Sequence, residues 1–161
     1  DSVKENLKDL ELDNIQLLWQ TGSMYYSEIN NAVKESGIKT IFPKEFIKNM
    51  DFAYSVADLI ISRAGALSVS ELCIVRKPAI LVPSPNVSED HQTKNAKSLV
   101  DKKAALLVKD VDARAKLVKT ALNLIGDEAL CTELSSNIGT LAKPDAAVKI
   151  IDQIAEIING N

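Results

Sequence analysis

The sequence contains few of the residues on which several classes of protein depend. Its 161 residues include two cysteines, Cys73 and Cys131, and one histidine, His91. Two widely separated cysteines argue against a disulfide framework and a cysteine-rich zinc site, and they are typical of a reducing compartment. A single histidine likewise argues against a histidine-based metal site. We therefore expect no metal and no cofactor.

Charge and hydropathy argue against further classes of protein. The formal net charge is −3, and charged residues make up 25% of the chain against 46% hydrophobic residues. Without a basic excess, we expect no nucleic-acid partner. The longest apolar runs have the length of a β-strand and are far too short for a membrane span. This composition and length predict one globular domain over residues 1–161, and the opening Asp1 in place of methionine suggests a piece of a longer protein.

Strand-like and helix-like segments alternate along the chain. Compact apolar runs predict strands that are covered on both faces, at residues 15–21, 38–43, 58–62, 78–83 and 104–109. Helical patterns follow at residues 25–35, 45–56, 67–75, 90–101 and 113–125, with an amphipathic closing helix at 146–158. This order predicts an α/β fold, a Rossmann-like parallel sheet of about six strands flanked by helices.

The segment SRAGALSVSE, residues 62–71, has small residues where a strand ends and a helix begins. Ligands of such sheets bind at the carboxyl ends of strands, where the first turn of a helix favours an anion. Gly65 and Ala66 permit close approach to the backbone. Ser68 offers a hydroxyl to a phosphate, and Glu71 offers a carboxylate to a ribose diol. A tight turn without a ligand, in which Glu71 only complements the helix dipole, fits the spacing equally well.

A second polar junction follows the predicted strand at residues 78–83. The next predicted helix starts near Glu89 or Asp90. His91, Gln92 and Asn95 lie in its first turns and offer donors and acceptors suited to sugar hydroxyls. A solvated helix start has the same composition, but two such junctions at neighbouring strand ends favour a binding site. The segments that we expect at the carboxyl edge of the sheet are Gly22, residues 62–65 and residues 83–86.

The segment KEFIKNMDFAY places Phe46, Ile47 and Met50 just after Pro43. From the residues alone we interpret it as a helix that buries an apolar face, and Trp19 as a core residue. The alternative is an apolar loop that covers a flat base. The chain has no Ser–His–Asp order, Walker-type lysine loop or GxGxxG sequence, so a nucleotide would be bound in another way.

Two strings, ADLIISRAGALSVSE and KPAILVPSPNVSEDHQTKNA, closely resemble the carboxyl-terminal half of the MurG family. These bacterial N-acetylglucosaminyltransferases form lipid II in peptidoglycan synthesis. The resemblance covers nearly the whole chain and includes WQTG at Trp19 and the pair Phe46–Ile47 with Met50. It implies a GT-B enzyme of two Rossmann-like domains, whose carboxyl-terminal domain binds UDP-N-acetylglucosamine.

The resemblance also implies roles for individual residues. In the family, the position of Ile47 meets the uracil, the stretch that matches residues 66–71 wraps the phosphates and ribose, and Glu71 takes the ribose hydroxyls. Gln92 holds the N-acetylglucosamine with Asn95 beside it. The implied substrate-binding set is Ile47, Arg63, Gly65, Ala66, Leu67, Ser68, Glu71, His91, Gln92 and Asn95, with no catalytic residue in this chain. The position of His91 varies among relatives.

The amino-terminal domain of the family, with the acceptor site and the proposed base, would precede this chain. The resemblance therefore implies the donor half of a hexosyltransferase, inactive alone, whose parent transfers N-acetylglucosamine from UDP-N-acetylglucosamine to lipid I. We expect a cytoplasmic protein, peripheral on the inner face of the bacterial membrane, with membrane contact mainly through the missing domain. Two other classes stay open: half of a UDP-N-acetylglucosamine 2-epimerase-like enzyme, which would need further acidic and histidine residues, and a non-catalytic nucleotide-binding module.

Overall fold

The structure is a computed structural model that describes residues 1–12, 14–85 and 90–160. Two details of the sequence predictions lie outside these ranges: the end of the edge segment at Asn86, and Glu89 as a possible helix start. The described strands are β1 (Leu17–Gln20), β2 (Ile41–Lys44), β3 (Ile60–Ser62), β4 (Ala79–Leu81) and β5 (Leu106–Leu107). The described α-helices are α1 (Ser2–Glu5), α2 (Ser23–Ser36), α3 (Met50–Val56), α4 (Ala66–Val75), α5 (His91–Val100), α6 (Asp110–Ile125), α7 (Glu128–Gly139) and α8 (Ala146–Asn159).

All strand pairs in the described ranges are parallel. β1 pairs with β2, with Gln20 opposite Lys44, and β3, β4 and β5 pair in that order. The predicted α/β class with parallel strands and flanking helices is confirmed. The hydrogen-bonded strands form a group of two and a group of three, so five strands are described where the sequence predicted about six.

The central strand β4 is covered on both faces. Successive side chains of a strand point to opposite faces, and Ile80 lies in one buried cluster while Leu81 lies in another. Both side chains are fully buried. The continuous apolar run at residues 78–83 therefore indicated a strand between two helical layers, as parallel sheets require.

Under β1 and β2 lies a separate core. It joins residues of α2, such as Ile29 and Val33, to Ile41 of β2 and Val118 of α6. Trp19 packs against this cluster with its side chain half-buried, so its interpretation as a core residue is confirmed. This core sets the position of the carboxyl end of β1.

The helix predicted at residues 45–56 begins only at Met50. The Gly22 N–H donates to the Glu45 carbonyl at 3.1 Å, so that carbonyl is bound to the cap residue of α2. Phe46 is 67% exposed and α3 contains no buried residue, so the interpretation of this segment as a helix that buries an apolar face is wrong both in its start and in its burial. Residues 45–49 form a loop at the end of the β1–β2 pair. Helices α1 and α7 were not predicted.

The closing helix is confirmed as α8, but its apolar face is exposed. Val148, Ile151, Ile154 and Ile158 are 58%, 65%, 51% and 77% exposed. The described residues therefore bury no side chain of residues 146–158. No helix in the described ranges combines the length and apolar character that crossing a membrane requires.

Candidate functional site

The turn between β3 and α4 ends in an open helix N-terminus. Gly65 is the cap residue of α4, and no side chain caps the helix at this end. The first helical bond runs from the Val69 N–H to the Gly65 carbonyl at 2.9 Å, so the N–H groups of residues 66–68 precede it. Among the described residues no acceptor of these N–H groups is found, and helix N-terminal donors of this kind, together with the helix dipole, favour an anion.

The backbone conformation at position 65 does not require a glycine. Its φ of −62° and ψ of 150° suit any residue. A Cβ added there would meet the Ser68 Oγ at 3.6 Å, which is ordinary van der Waals contact. Among the described residues, glycine at this position adds no side chain in front of the helix N-terminus, and Leu67 beside it is 81% exposed. A ligand can therefore approach the backbone closely.

Two amide side chains of α5 fasten the two junctions to each other. The Gln92 Oε1 accepts from the Ala64 N–H at 3.3 Å and from the Ser84 N–H at 2.8 Å. The Asn95 Nδ2 donates to the Ala64 carbonyl at 3.0 Å. The structure thus brings the predicted residues Gln92 and Asn95 against the turn that precedes α4. These bonds use the Gln92 Oε1 and the Asn95 Nδ2, and within the described ranges no bond of the Gln92 Nε2 or the Asn95 Oδ1 is found.

Arg63 lies at the same turn and points to the end of β4. Its Nη1 donates to the Val82 carbonyl at 3.1 Å and forms an ion pair with Asp110 at the start of α6. The guanidinium therefore ties three elements together, with its charge partly balanced by Asp110. His91 begins α5 and is exposed.

Glu71 faces outward from α4 and meets Tyr54 of α3. The pKa of Tyr54 is raised by burial of the phenol and, to a smaller extent, by the charge of Glu71 and by the hydrogen bond between the two side chains. The carboxylate is exposed, so its other lone pairs are open to a diol. A second bond between the same regions runs from the Lys77 Nζ to the Ser55 carbonyl at 3.3 Å.

Ile47 lies in the loop of residues 45–49 and is half-buried. Its N–H donates to the Oε1 of Gln20, at the end of β1, at 2.9 Å. The predicted set therefore forms two groups, one around Ala64 and one at Ile47, and the Tyr54–Glu71 contact connects α3 with α4. Sequence reasoning missed Gln20 and Tyr54. Of the two, Gln20 could have been found from the sequence, because it is a polar residue at the carboxyl end of a strand.

The described ranges hold no group of three or more His, Cys, Asp or Glu side chains arranged to bind a metal. Both cysteines are free thiols, and burial raises the pKa of each. The polar groups that the described residues bring to the site include hydrogen-bond donors and acceptors, the Glu71 carboxylate, the Arg63–Asp110 ion pair and the N-terminus of α4.

Comparison with known families gives a match over most of the chain. The glycosyltransferase family 28 C-terminal domain matches residues 1–150. The chain belongs to this family. It is also similar to the crystal structure of Acinetobacter baumannii MurG, with a TM-score of 0.84 and 31% identity over 97% of this chain and 45% of that one.

Three curated relatives share a name, UDP-N-acetylglucosamine–N-acetylmuramyl-(pentapeptide) pyrophosphoryl-undecaprenol N-acetylglucosamine transferase. The relative from Bacteroides thetaiotaomicron is 49% identical over 97% of this chain, that from Parabacteroides distasonis 50% over 98%, and that from Cytophaga hutchinsonii 51% over 98%. The alignments cover 41%, 43% and 42% of those relatives. The chain therefore spans about two fifths of their length. The resemblance to the MurG carboxyl-terminal domain is confirmed.

Proposed function

We propose that this chain is the donor-binding domain of a glycosyltransferase that moves N-acetylglucosamine from UDP-N-acetylglucosamine to lipid I. The observation that carries the proposal is the open N-terminus of α4, with Gln92 and Asn95 fastened beside it and Glu71 one turn further on. A diphosphate, a sugar and a ribose each find matching groups there. The transferase names of the relatives favour this activity over an epimerase.

Each part of the donor has a proposed partner. The N–H groups of residues 66–68 bind the diphosphate, with Ser68 as a further donor. Glu71 accepts the two ribose hydroxyls, and Ile47 meets the uracil. The Gln92 and Asn95 amides hold N-acetylglucosamine, with Arg63, Gly65 and His91 at the rim of the same surface.

The chemistry follows from the leaving group. When the sugar leaves UDP, negative charge grows on the diphosphate. The α4 N-terminus is already oriented toward that charge, and such preorganised dipoles stabilise a transition state without reorganisation. The acceptor site and the base lie in the remainder of the parent protein, which we place at the cytoplasmic face of the membrane as a peripheral enzyme. The chain alone therefore binds the donor and transfers nothing.

The proposal is tested by titration calorimetry of this chain with UDP, UDP-N-acetylglucosamine and ADP. We expect both uridine ligands to bind, weakly because one side of the cleft is absent, and ADP to bind less tightly. A lipid I analogue should gain no sugar until the chain is joined to the amino-terminal domain of a relative. Equal binding of ADP and UDP, or transfer by the chain alone, would contradict the proposal.

A further inference from the structure

Ala64 lies in the turn between β3 and α4 and is fully buried. The side chains of two residues of α5 bind its polar backbone groups. The Ala64 N–H donates to the Gln92 Oε1 at 3.3 Å, and the Ala64 carbonyl accepts from the Asn95 Nδ2 at 3.0 Å. Among the described residues, no backbone group bonds to either of them. The backbone of this turn is therefore positioned by side chains of α5.

The two peptide groups that flank the Cα atom of Ala64 differ in their partners. In the first, which joins Arg63 to Ala64, both ends are bound, because the Arg63 carbonyl accepts from the Ser62 Oγ at 2.8 Å. In the second, which joins Ala64 to Gly65, Asn95 binds the carbonyl, but no acceptor of the Gly65 N–H is found in the described ranges. The turn thus presents one further backbone donor immediately before α4.

The direction of the Gly65 N–H follows from the geometry of the peptide group. A trans peptide group is planar, and its C=O and N–H bonds point in opposite directions. The described peptide bonds include no cis bond. The hydrogen bond from the Asn95 Nδ2 fixes the Ala64 carbonyl, so the Gly65 N–H points away from Asn95. Asn95 therefore orients a donor to which it does not bond.

We propose that Asn95 is a positioning residue for the diphosphate of the donor: it fixes the peptide plane between Ala64 and Gly65, and the Gly65 N–H then donates to the diphosphate beside the N–H groups of α4. The inference rests on the proposed function, because it requires the N-terminus of α4 to bind the diphosphate. It adds one hydrogen-bond donor to that function, and it gives Asn95 a role in the binding of ligands that carry no sugar.

The orientation of this donor depends on Asn95 because glycine restricts the backbone so little. Without a Cβ, Gly65 permits the peptide plane to rotate when the carbonyl loses its partner. A ligand would then have to order the plane, and the cost of that ordering reduces its affinity. A preorganised N–H avoids this cost, both when the donor binds and when charge grows on the leaving diphosphate. Loss of the Asn95 bond should therefore weaken every ligand that carries a diphosphate.

The decisive variant is Asn95→Leu, which keeps the approximate size of the side chain and removes the Nδ2 donor. We expect the affinity ratio of UDP to uridine to fall about 5- to 30-fold, less than the full loss of one hydrogen bond to a charged group. Uridine carries the base and the ribose without the diphosphate, so its affinity reports the rest of the site. UDP-N-acetylglucosamine should lose at least as much as UDP. Ligand-observed NMR by competition measures these weak affinities, and the melting temperature checks folding.

The control is Asn31→Leu, which makes the same chemical change at an exposed position of α2 and should leave the ratio unchanged. Gly65→Pro removes the proposed donor itself, at a φ of −62° that proline adopts. Gly65→Ala keeps the N–H and adds a Cβ in ordinary contact, so it should lose less than Gly65→Pro. Adding Asn95→Leu to Gly65→Pro should reduce the ratio little further, because no N–H remains to be oriented.

A loss confined to UDP-N-acetylglucosamine in Asn95→Leu, with the ratio of UDP to uridine unchanged, would overturn the inference and leave the proposed function intact. Additive losses in Asn95→Leu and Gly65→Pro would also overturn it, because Asn95 would not act through the Gly65 N–H. Equal losses in Gly65→Pro and Gly65→Ala would do so even if Asn95→Leu failed to fold. An unaltered chain that binds UDP no more tightly than uridine would overturn the proposed function and the inference together.

Discussion

The junctions after β3 and β4 and the loop after β2 form two sides of the candidate site, and they differ in what lies beneath them. Ala64, Leu72 and Leu81 support the junctions and are fully buried. Helix α3, which follows the loop, buries no residue completely, and Phe46 and Phe52 are 67% and 66% exposed. The donor's diphosphate and sugar would thus meet a surface fixed by the core, and its base would meet one fixed by a few hydrogen bonds.

This difference in burial predicts two kinds of effect for substitutions in the site. A side chain that satisfies buried backbone groups at the junctions contributes to folding as well as to binding, because an unpaired polar group there is costly. A side chain of the exposed loop has little buried surface to lose. Substitutions on the junction side should therefore change stability, and those on the loop side should change ligand selectivity.

The largest effect is expected for Glu71→Ala. The carboxylate accepts two hydrogen bonds from the ribose in the proposed complex, and bonds to charged groups contribute about 1.5–3 kcal/mol each. The two bonds share one exposed carboxylate, so we take their joint contribution as about that of one such bond, and UDP affinity should fall by roughly ten- to a few hundred-fold. Glu71→Gln keeps one acceptor oxygen and should lose less. Calorimetry measures both variants.

The control for Glu71 is Glu128→Ala. Glu128 is also exposed and lies in the first turn of α7, where its carboxylate complements the helix dipole, whereas Glu71 lies beyond the first turn of α4. We expect this variant to lose a little stability and to keep the affinity for UDP. If Glu71→Ala behaves in the same way as Glu128→Ala, the β3–α4 junction is a tight turn without a role in binding.

The next effect concerns Gln92 and the stability of the junctions. Gln92→Leu removes the acceptor of the Ala64 and Ser84 N–H groups, so we expect the free energy of unfolding to fall by about 2 kcal/mol. Gln92→Glu retains an acceptor and should lose far less. Urea denaturation measures the difference, and a loss of equal size in both variants would contradict the role of the oxygen.

Phe46→Ser is the matching change on the loop side. The ring is largely exposed, so the free energy of unfolding should stay within about 0.5 kcal/mol of the original value. A loss as large as that in Gln92→Leu would remove the distinction between the two sides.

A smaller effect is expected for the ion pair between Arg63 and Asp110. Both side chains are partly exposed, at 55% and 35%, and such pairs contribute about 0–1 kcal/mol because solvent screens them. Asp110→Asn should therefore lower the free energy of unfolding by less than about 1 kcal/mol, and the loss should shrink in high salt. A loss that salt does not change would indicate that the Asp110 hydrogen bond matters more than its charge.

The junction side of the site was largely predictable from the sequence, because its signals are local. Small residues after an apolar run mark the β3–α4 turn, and the start of α5 was placed within one residue, at Asp90 against the observed His91. The parallel strands follow from continuous apolar runs such as that of β4. What joins these elements is not local: the Gln92–Ala64 bond spans 28 residues and has no signature in the sequence.

The loop side was not predictable for a physical reason. Phe46, Ile47 and Met50 have the apolar character of a helix face. In the folded chain, however, the Glu45 carbonyl accepts from Gly22 and the Ile47 N–H donates to Gln20, partners that lie far away in the sequence. The role proposed for Ile47 rests on the resemblance to the MurG family. Gln20 and Tyr54 act through partners 27 and 17 positions away, respectively, and their contacts became visible only in three dimensions.

The smallest expected effect connects the two sides through Tyr54 and Glu71. Burial first, and then the charge and hydrogen bond of Glu71, raise the pKa of Tyr54 in the folded chain above the ordinary value of about 10. The folded chain therefore keeps a proton that the unfolded chain has lost. The stability that results from this proton is complete below about pH 10 and is lost as the pH rises through the raised pKa.

Glu71→Gln should lower the pKa of Tyr54 without restoring the ordinary value, because burial remains. The ultraviolet absorbance of tyrosinate reports it after subtraction of the titration of Tyr54→Phe, which retains the other two of the three tyrosines. Glu128→Gln should leave the pKa in place, and an unchanged pKa in Glu71→Gln would show that α3 and α4 are not connected through this pair.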